Sequence, residues 1–112
     1  MQDGAPPHWS TPVRDWLNEK FPHRWIGRGG AHDTNIAWPP RSPDLTPMDY
    51  FVWGFIKSNV YVKNYHSLDD LKNSINAAFQ KITEVMISST LENFVRRLNF
   101  VVERSGGHIE NI

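Results

Sequence analysis

The sequence predicts a helix-dominated chain with one or two short strands, and three observations predict it. All eight prolines fall between Pro6 and Pro47, so no helix breaker occurs in the second half. Apolar residues in that half recur at the 3.6-residue helical period. In the first half, only Arg24-Trp25-Ile26-Gly27 and Asn35-Ile36-Ala37-Trp38 have the short apolar and aromatic runs of strands.

Taken in order, Thr11-Pro12 reads as a helix cap followed by proline at the first helical position. Val13, Trp16 and Leu17 then give a one-sided stripe that ends near Phe21-Pro22. The two strand candidates follow, separated by the turn-forming Arg28-Gly29-Gly30 and closed by Pro39-Pro40. At Thr46-Pro47-Met48-Asp49 the start signals recur, with an acid three residues after the cap, and a helix over 47–59 is expected. Its Tyr50, Phe51, Trp53 and Phe55 are spread around several faces, which predicts burial on more than one side. Ser67 opens the next helix, with Asp70 at the capping-box spacing and Leu68, Leu71, Ile75, Phe79 and Ile82 on one face. Thr83 caps the last. Its stripe of Ile87, Leu91, Phe94, Val95, Leu98, Val101 and Val102 runs until Gly106-Gly107 stops it.

Composition excludes several function classes. The 112 residues contain no cysteine, so a disulfide framework, a thiolate nucleophile and a Cys-ligated zinc site are ruled out. Twelve Lys and Arg balance twelve Asp and Glu, and the pI is near 7. Any nucleic-acid contact is therefore local rather than spread over a basic surface. Apolar runs are too short to span a membrane, and Met1 to Pro7 lack the pattern of a signal peptide. A soluble intracellular chain without a membrane partner is expected. Five Trp and six Phe supply material for a small core.

Three acids stand in unusual surroundings. Asp3 lies in Gln2-Asp3-Gly4-Ala5-Pro6-Pro7-His8, where glycine and prolines force the backbone out of regular structure directly after the carboxylate. Asp44 and Asp49 lie in Trp38-Pro39-Pro40-Arg41-Ser42-Pro43-Asp44-Leu45-Thr46-Pro47-Met48-Asp49, a proline-stiffened approach to a helix start. Such stiffness suits a site that must hold a carboxylate in place. Each acid also has an ordinary reading: Asp49 as half of a capping box, Asp44 as a turn residue, Asp3 as a solvated terminal acid.

Together the two segments, with Tyr50-Phe51-Val52-Trp53-Gly54 after the second, closely resemble the C-terminal part of the catalytic domain of mariner/Tc-type DDE/D transposases. In that family an Asp at the end of a strand is followed by Asn or Gly and then Ala-Pro-x-His. A later Ser-Pro-Asp-Leu-x-Pro-x-(Asp or Glu) carries the last catalytic acid at a helix start. The ending Gly106-Gly107-His108-Ile109-Glu110 is similar to that of arthropod elements of this group, so the resemblance covers essentially the whole chain, 1–112. It implies an α/β architecture of RNase H type, of which this piece keeps mainly helices. It maps Asp3 to the second catalytic acid and Asp49, rather than Asp44, to the third.

The chemistry implied is metal-dependent DNA phosphodiester cleavage and strand transfer. Two Mg²⁺ or Mn²⁺ ions, about 3.5 to 4 Å apart, activate the attacking oxygen and stabilise the leaving one. Asp3 and Asp49 are the implied metal ligands, since these ions prefer hard oxygen donors. His8, Arg41 and Lys57 are candidate DNA contacts, with an ordinary surface role as the alternative. The implied partner is DNA, the transposon ends, with action as homo-oligomers in the nucleus. The family's first catalytic Asp, the early strands and the DNA-reading domain all precede the matched part, so weak metal binding and little activity by 1–112 alone are expected. The Asp3 to Asp49 spacing is longer than in the best-known mariner group, which places an insertion around Arg28 to Thr34. A different class stays open: a non-catalytic helical module derived from a transposase that binds DNA or protein. Without the central strands, apolar surface including parts of Trp25, Trp38, Phe51 and Trp53 is expected to be exposed, with marginal stability or self-association as the consequence.

Overall fold

The computed structural model describes residues 1–28 and 36–109. These fall into two compact units, 1–42 and 43–112.

In the first unit, a 3₁₀ turn over Pro6–Trp9 leads into α1 (Thr11–Lys20). Ser10, not Thr11, is the flanking residue of α1, so the expected boundary moves by one. Proline still occupies the first turn, where its missing N–H leaves no bond unmade. The Arg14 side chain donates to the Thr11 hydroxyl, which is therefore engaged inside the helix rather than before it. Leu17 and Trp25 form the buried centre, with Trp9 and Val13 packed against it and the Trp9 and Trp25 rings edge to face at 6.4 Å. The Trp25 indole N–H, which burial would otherwise strand, donates to Asn18 Oδ1 at 3.0 Å.

The expected exposure of Trp25 and Trp38 is overturned, since both are buried. For Trp25 the reason is local: α1 lays Leu17 and Val13 over it and so takes the place of a sheet as its cover. The two strand candidates shrink to a single parallel bridge, Gly27 to Ala37, with the Trp38 N–H donating to the Gly27 carbonyl. One bridge does not propagate a sheet without further paired strands beside it. Among the described residues no sheet forms, and the RNase H-type α/β architecture is not displayed. The glycine turn, the insertion expected at Arg28 to Thr34 beyond Arg28 itself, and Asn35 and Glu110 lie outside the described residues.

The second unit is helical. A 3₁₀ turn, Pro43–Leu45, precedes a helix over 47–60 that opens with a π-turn, Met48–Val52, and continues as α2 (Trp53–Val60). The Trp53 N–H reaches back to the Met48 carbonyl, one residue further than in an α-turn. Next, α3 (Leu68–Gln80) is capped as the sequence predicts, the Ser67 side chain accepting from the Asp70 N–H. The last helix, α4 (Glu84–Glu103), is capped by Thr83 accepting from the Met86 N–H. Its end is sealed by the Gly106 N–H bonding the Val101 carbonyl, with Gly106 at φ +91°.

Ile56, Val60 and Ala78 form the core between α2 and α3, bordered by Val52, Phe55, Tyr65, Leu71, Ile75 and Ile82. Leu68 and Phe79, expected on the same face, are exposed. No residue of α4 is buried, and Ile87, Leu91, Val95, Leu98 and Val102 all face solvent. Of the helices, α4 carries the most exposed large apolar side chains. Phe51 is half-buried, and Trp53 is exposed as expected.

Candidate functional site

In the first unit, Asp3 ends in a turn that its own side chain closes. Oδ1 accepts from the Ala5 N–H at 3.0 Å and from His8 Nδ1 at 2.7 Å. Gly4 makes the turn possible for two reasons: its φ is +77°, and a Cβ there would stand 2.8 Å from the Cβ of Arg28. The prolines at 6 and 7 start the 3₁₀ turn that brings His8 back to the carboxylate. The His8 hydrogen bond, then the Ala5 N–H, hold the Asp3 carboxyl below the usual carboxylate range. Both side chains are about half exposed, and both of these hydrogen bonds fall on Oδ1. The arrangement presents an ionised, oriented carboxylate to solvent.

In the second unit, Asp49 sits exposed in the π-turn, its N–H and that of Tyr50 both bonding the Thr46 carbonyl. It lines an open depression with Pro43, Asp44, Tyr50 and Arg97. Asp44 is almost wholly buried: Oδ2 accepts from the Ile109 N–H at 3.0 Å and stands 3.5 Å from His108 Nδ1. Its carbonyl accepts from Arg97 Nη1 at 2.8 Å. The Arg97 guanidinium lies 4.1 Å from the centre of the Tyr50 ring, and the Tyr50 hydroxyl donates to the Thr90 carbonyl at 2.8 Å. Burial raises the Tyr50 pKa above its ordinary value, and the charge of Arg97 opposes the rise.

The expected site residues are thus distributed over both units. Asp3 and His8 are brought together in the first; Arg41 is exposed there, in the left-handed region at φ +55°. Asp49 and Lys57 belong to the second, Lys57 exposed on α2. Among the described residues no group of three or more His, Asp or Glu side chains gathers as a metal cage.

Comparison with known proteins decides the kinship. The chain is 29% identical over 111 residues to the transposable element Tc3 transposase of Caenorhabditis elegans, covering 97% of this chain and 30% of that protein. It is 25% identical over 106 residues to the Tc1 transposase of the same organism, covering 95% and 34%. Its homologues are transposases of the Tc1/mariner type. The chain spans about a third of the length of these curated relatives. It also matches the human histone-lysine N-methyltransferase SETMAR, at 28% identity over 108 residues, 93% of this chain and 13% of that protein. No protein-family model matches the chain, and no solved structure matches it at a significant level.

Two residues that carried no expected site role stand beside Asp49. Asp44 reads as a turn residue after Ser42-Pro43, yet it is buried by partners 53 and 65 residues further along. Arg97 interrupts the apolar run of α4 between Phe94 and Val101, at helical spacing from both. A charge on that face was the one signal that it turns inward to a partner.

Proposed function

We propose that this chain forms part of the catalytic domain of a DDE/D transposase of RNase H-like fold, in which Asp3 and Asp49 are ligands for catalytic Mg²⁺ or Mn²⁺. What carries the reading is the Asp3 turn: an exposed, ionised carboxylate whose Oδ1 is fixed by Ala5 and His8 on a bend that requires Gly4. Kinship with Tc-element transposases supports the same reading.

The donors fit the ions. Both residues offer carboxylate oxygen, both are exposed, and neither is neutralised by a lysine or arginine ion pair among the described residues. When bound, the ions supply Lewis-acid activation of the attacking and leaving oxygens of a phosphodiester. His8 orients Asp3 and keeps it ionised. Arg41 and Lys57, both exposed, are the cations this reading assigns to DNA phosphates. DNA is the partner of the longer protein, acting in the nucleus and as a homo-oligomer. Residues 1–112 offer two of the three acids the family uses, so they bind the ions weakly and do not cleave alone.

The test exchanges this chain for the matched stretch of the Tc3 transposase and measures Mn²⁺-dependent nicking of transposon-end DNA. The chimera nicks, Asp3→Asn and Asp49→Asn each reduce nicking by several orders of magnitude, and residues 1–112 alone are silent. Nicking that survives Asp49→Asn removes that residue from the metal site. A chimera that binds DNA but never nicks favours a non-catalytic module.

A further inference from the structure

The depression around Asp49 is built by residues that are distant in sequence, and its construction assigns them a task. The carboxylate-bearing turn is flanked on one side by the Pro43–Leu45 3₁₀ turn and on the other by Tyr50. Arg97 of α4 reaches both flanks, donating to the Asp44 carbonyl and lying against the Tyr50 ring. The Asp44 side chain, 5% exposed as a residue, takes the Ile109 N–H, and Ile109 is the one fully buried large side chain among the described residues. The chain after Gly106-Gly107 is thereby tied back onto the approach to Asp49.

The bonding pattern separates this from a simple ion pair. Arg97 uses its charge on a carbonyl and an aromatic face, not on the buried carboxylate. Asp44 Oδ1 and Arg97 Nε both remain without a hydrogen-bond partner. A pair optimised for stability alone would join the two groups directly, because a bidentate guanidinium–carboxylate contact satisfies both at once. Here Arg97 grips the Asp44 carbonyl and the Tyr50 ring, which flank Asp49, while the Asp44 carboxylate takes the Ile109 N–H and stands 3.5 Å from His108 Nδ1.

We propose that Asp44 and Arg97 are positioning residues that, with the Gly106–Ile109 segment as strap, hold the Asp49 carboxylate at the orientation in which it takes a divalent ion. The inference rests on the reading of Asp49 as a metal ligand, but the clamp is measured separately from the metal.

The experiment uses the 112-residue chain, with amide hydrogen exchange and Mn²⁺-induced line broadening read by NMR. Arg97→Ala and Asp44→Leu speed exchange at the Asp49, Tyr50 and Ile109 amides at least tenfold, while amides of α3 change less than twofold. Asp44→Asn keeps an acceptor for the Ile109 N–H and restores most of that protection. If Asp44→Leu does not fold, Arg97→Lys carries the test, because it keeps the charge but loses the fork. In the unaltered chain Mn²⁺ broadens the resonances around Asp49; Arg97→Ala weakens this at least threefold and Asp44→Asn does not. Unchanged exchange at Asp49 and Tyr50, or equal acceleration in α3, overturns the clamp. An unaltered chain with no broadening at Asp49 refutes both the metal reading and the orientation claimed here, whereas exchange alone still reports whether the strap exists.

Discussion

Replacing Gly4 by alanine tests the geometry of the Asp3 turn most directly. At φ +77° an alanine is strained by about 1–2 kcal/mol. A stiffer unfolded chain offsets about 0.4–1 kcal/mol of this. The new methyl would also stand 2.8 Å from the Cβ of Arg28, an atom fixed to the backbone and unable to swing away. Overpacking of that kind costs about 1–3 kcal/mol. Gly106 supplies the control, since it has a similar φ of +91° but open space around the added carbon. Gly4→Ala should therefore destabilise its unit by about 1–5 kcal/mol, exceeding Gly106→Ala by about the overpacking contribution. Urea unfolding reads both: tryptophan fluorescence reports mainly on the first unit, which holds Trp9, Trp16, Trp25 and Trp38, and far-UV circular dichroism reports on α4. Adding Arg28→Gly to Gly4→Ala should recover the excess, because it deletes the opposing carbon. Equal losses at the two glycines, or no recovery in the double variant, would refute the reasoning.

Other outcomes follow from the same contacts. The folded pKa of Asp3 is lowered, so its pair with His8 stabilises the fold above about pH 4 and is lost as the pH falls through the depressed value. His8→Ala should move Asp3 upward in a carboxyl-carbon NMR titration, with a stability change below about 1 kcal/mol because both groups are half exposed; an unmoved Asp3 contradicts the assignment. Tyr50 should ionise above its ordinary range in an ultraviolet titration, and Arg97→Met should push it higher by removing the opposing charge. Ser67→Ala and Thr83→Ala should each cost about 0.5–2 kcal/mol in urea melts followed by circular dichroism. Ser10→Ala should cost less, since that side chain makes no cap bond.

What the sequence discloses depends on how far apart the deciding partners lie. Ser67 with Asp70 and Thr83 with Met86 are three residues apart, and both helix starts were legible to the residue. The boundary at Thr11 was missed by one, because a proline in the first turn marks the helix without fixing which neighbour flanks it. Trp25 was misplaced because its burial comes from α1, and a stripe states that a face is apolar but not what covers it. The α4 stripe shows the converse: its period is helical, yet five of its seven apolar residues face solvent. For the site, Gly4 and the prolines announced the Asp3 turn, all within six residues. Asp44 was hidden, because its burial is decided at Arg97 and Ile109.

The π-turn at Met48–Val52 gives the Asp49 helix an uncommon response to loss of sequence. Deleting one residue from an ordinary helix turns everything before it by about 100° relative to everything after, and usually spoils the packing. Here a deletion between Met48 and Val52 would convert the turn to regular α geometry and leave Ile56 and Val60 seated in their core. Asp49 lies inside the turn itself, so tightening it would re-aim that side chain relative to Arg97 and Asp44. A lineage that lost that one residue would keep a well-formed helix and lose the aim of its acid, so a length change in this turn would mark the point at which descent and chemistry part.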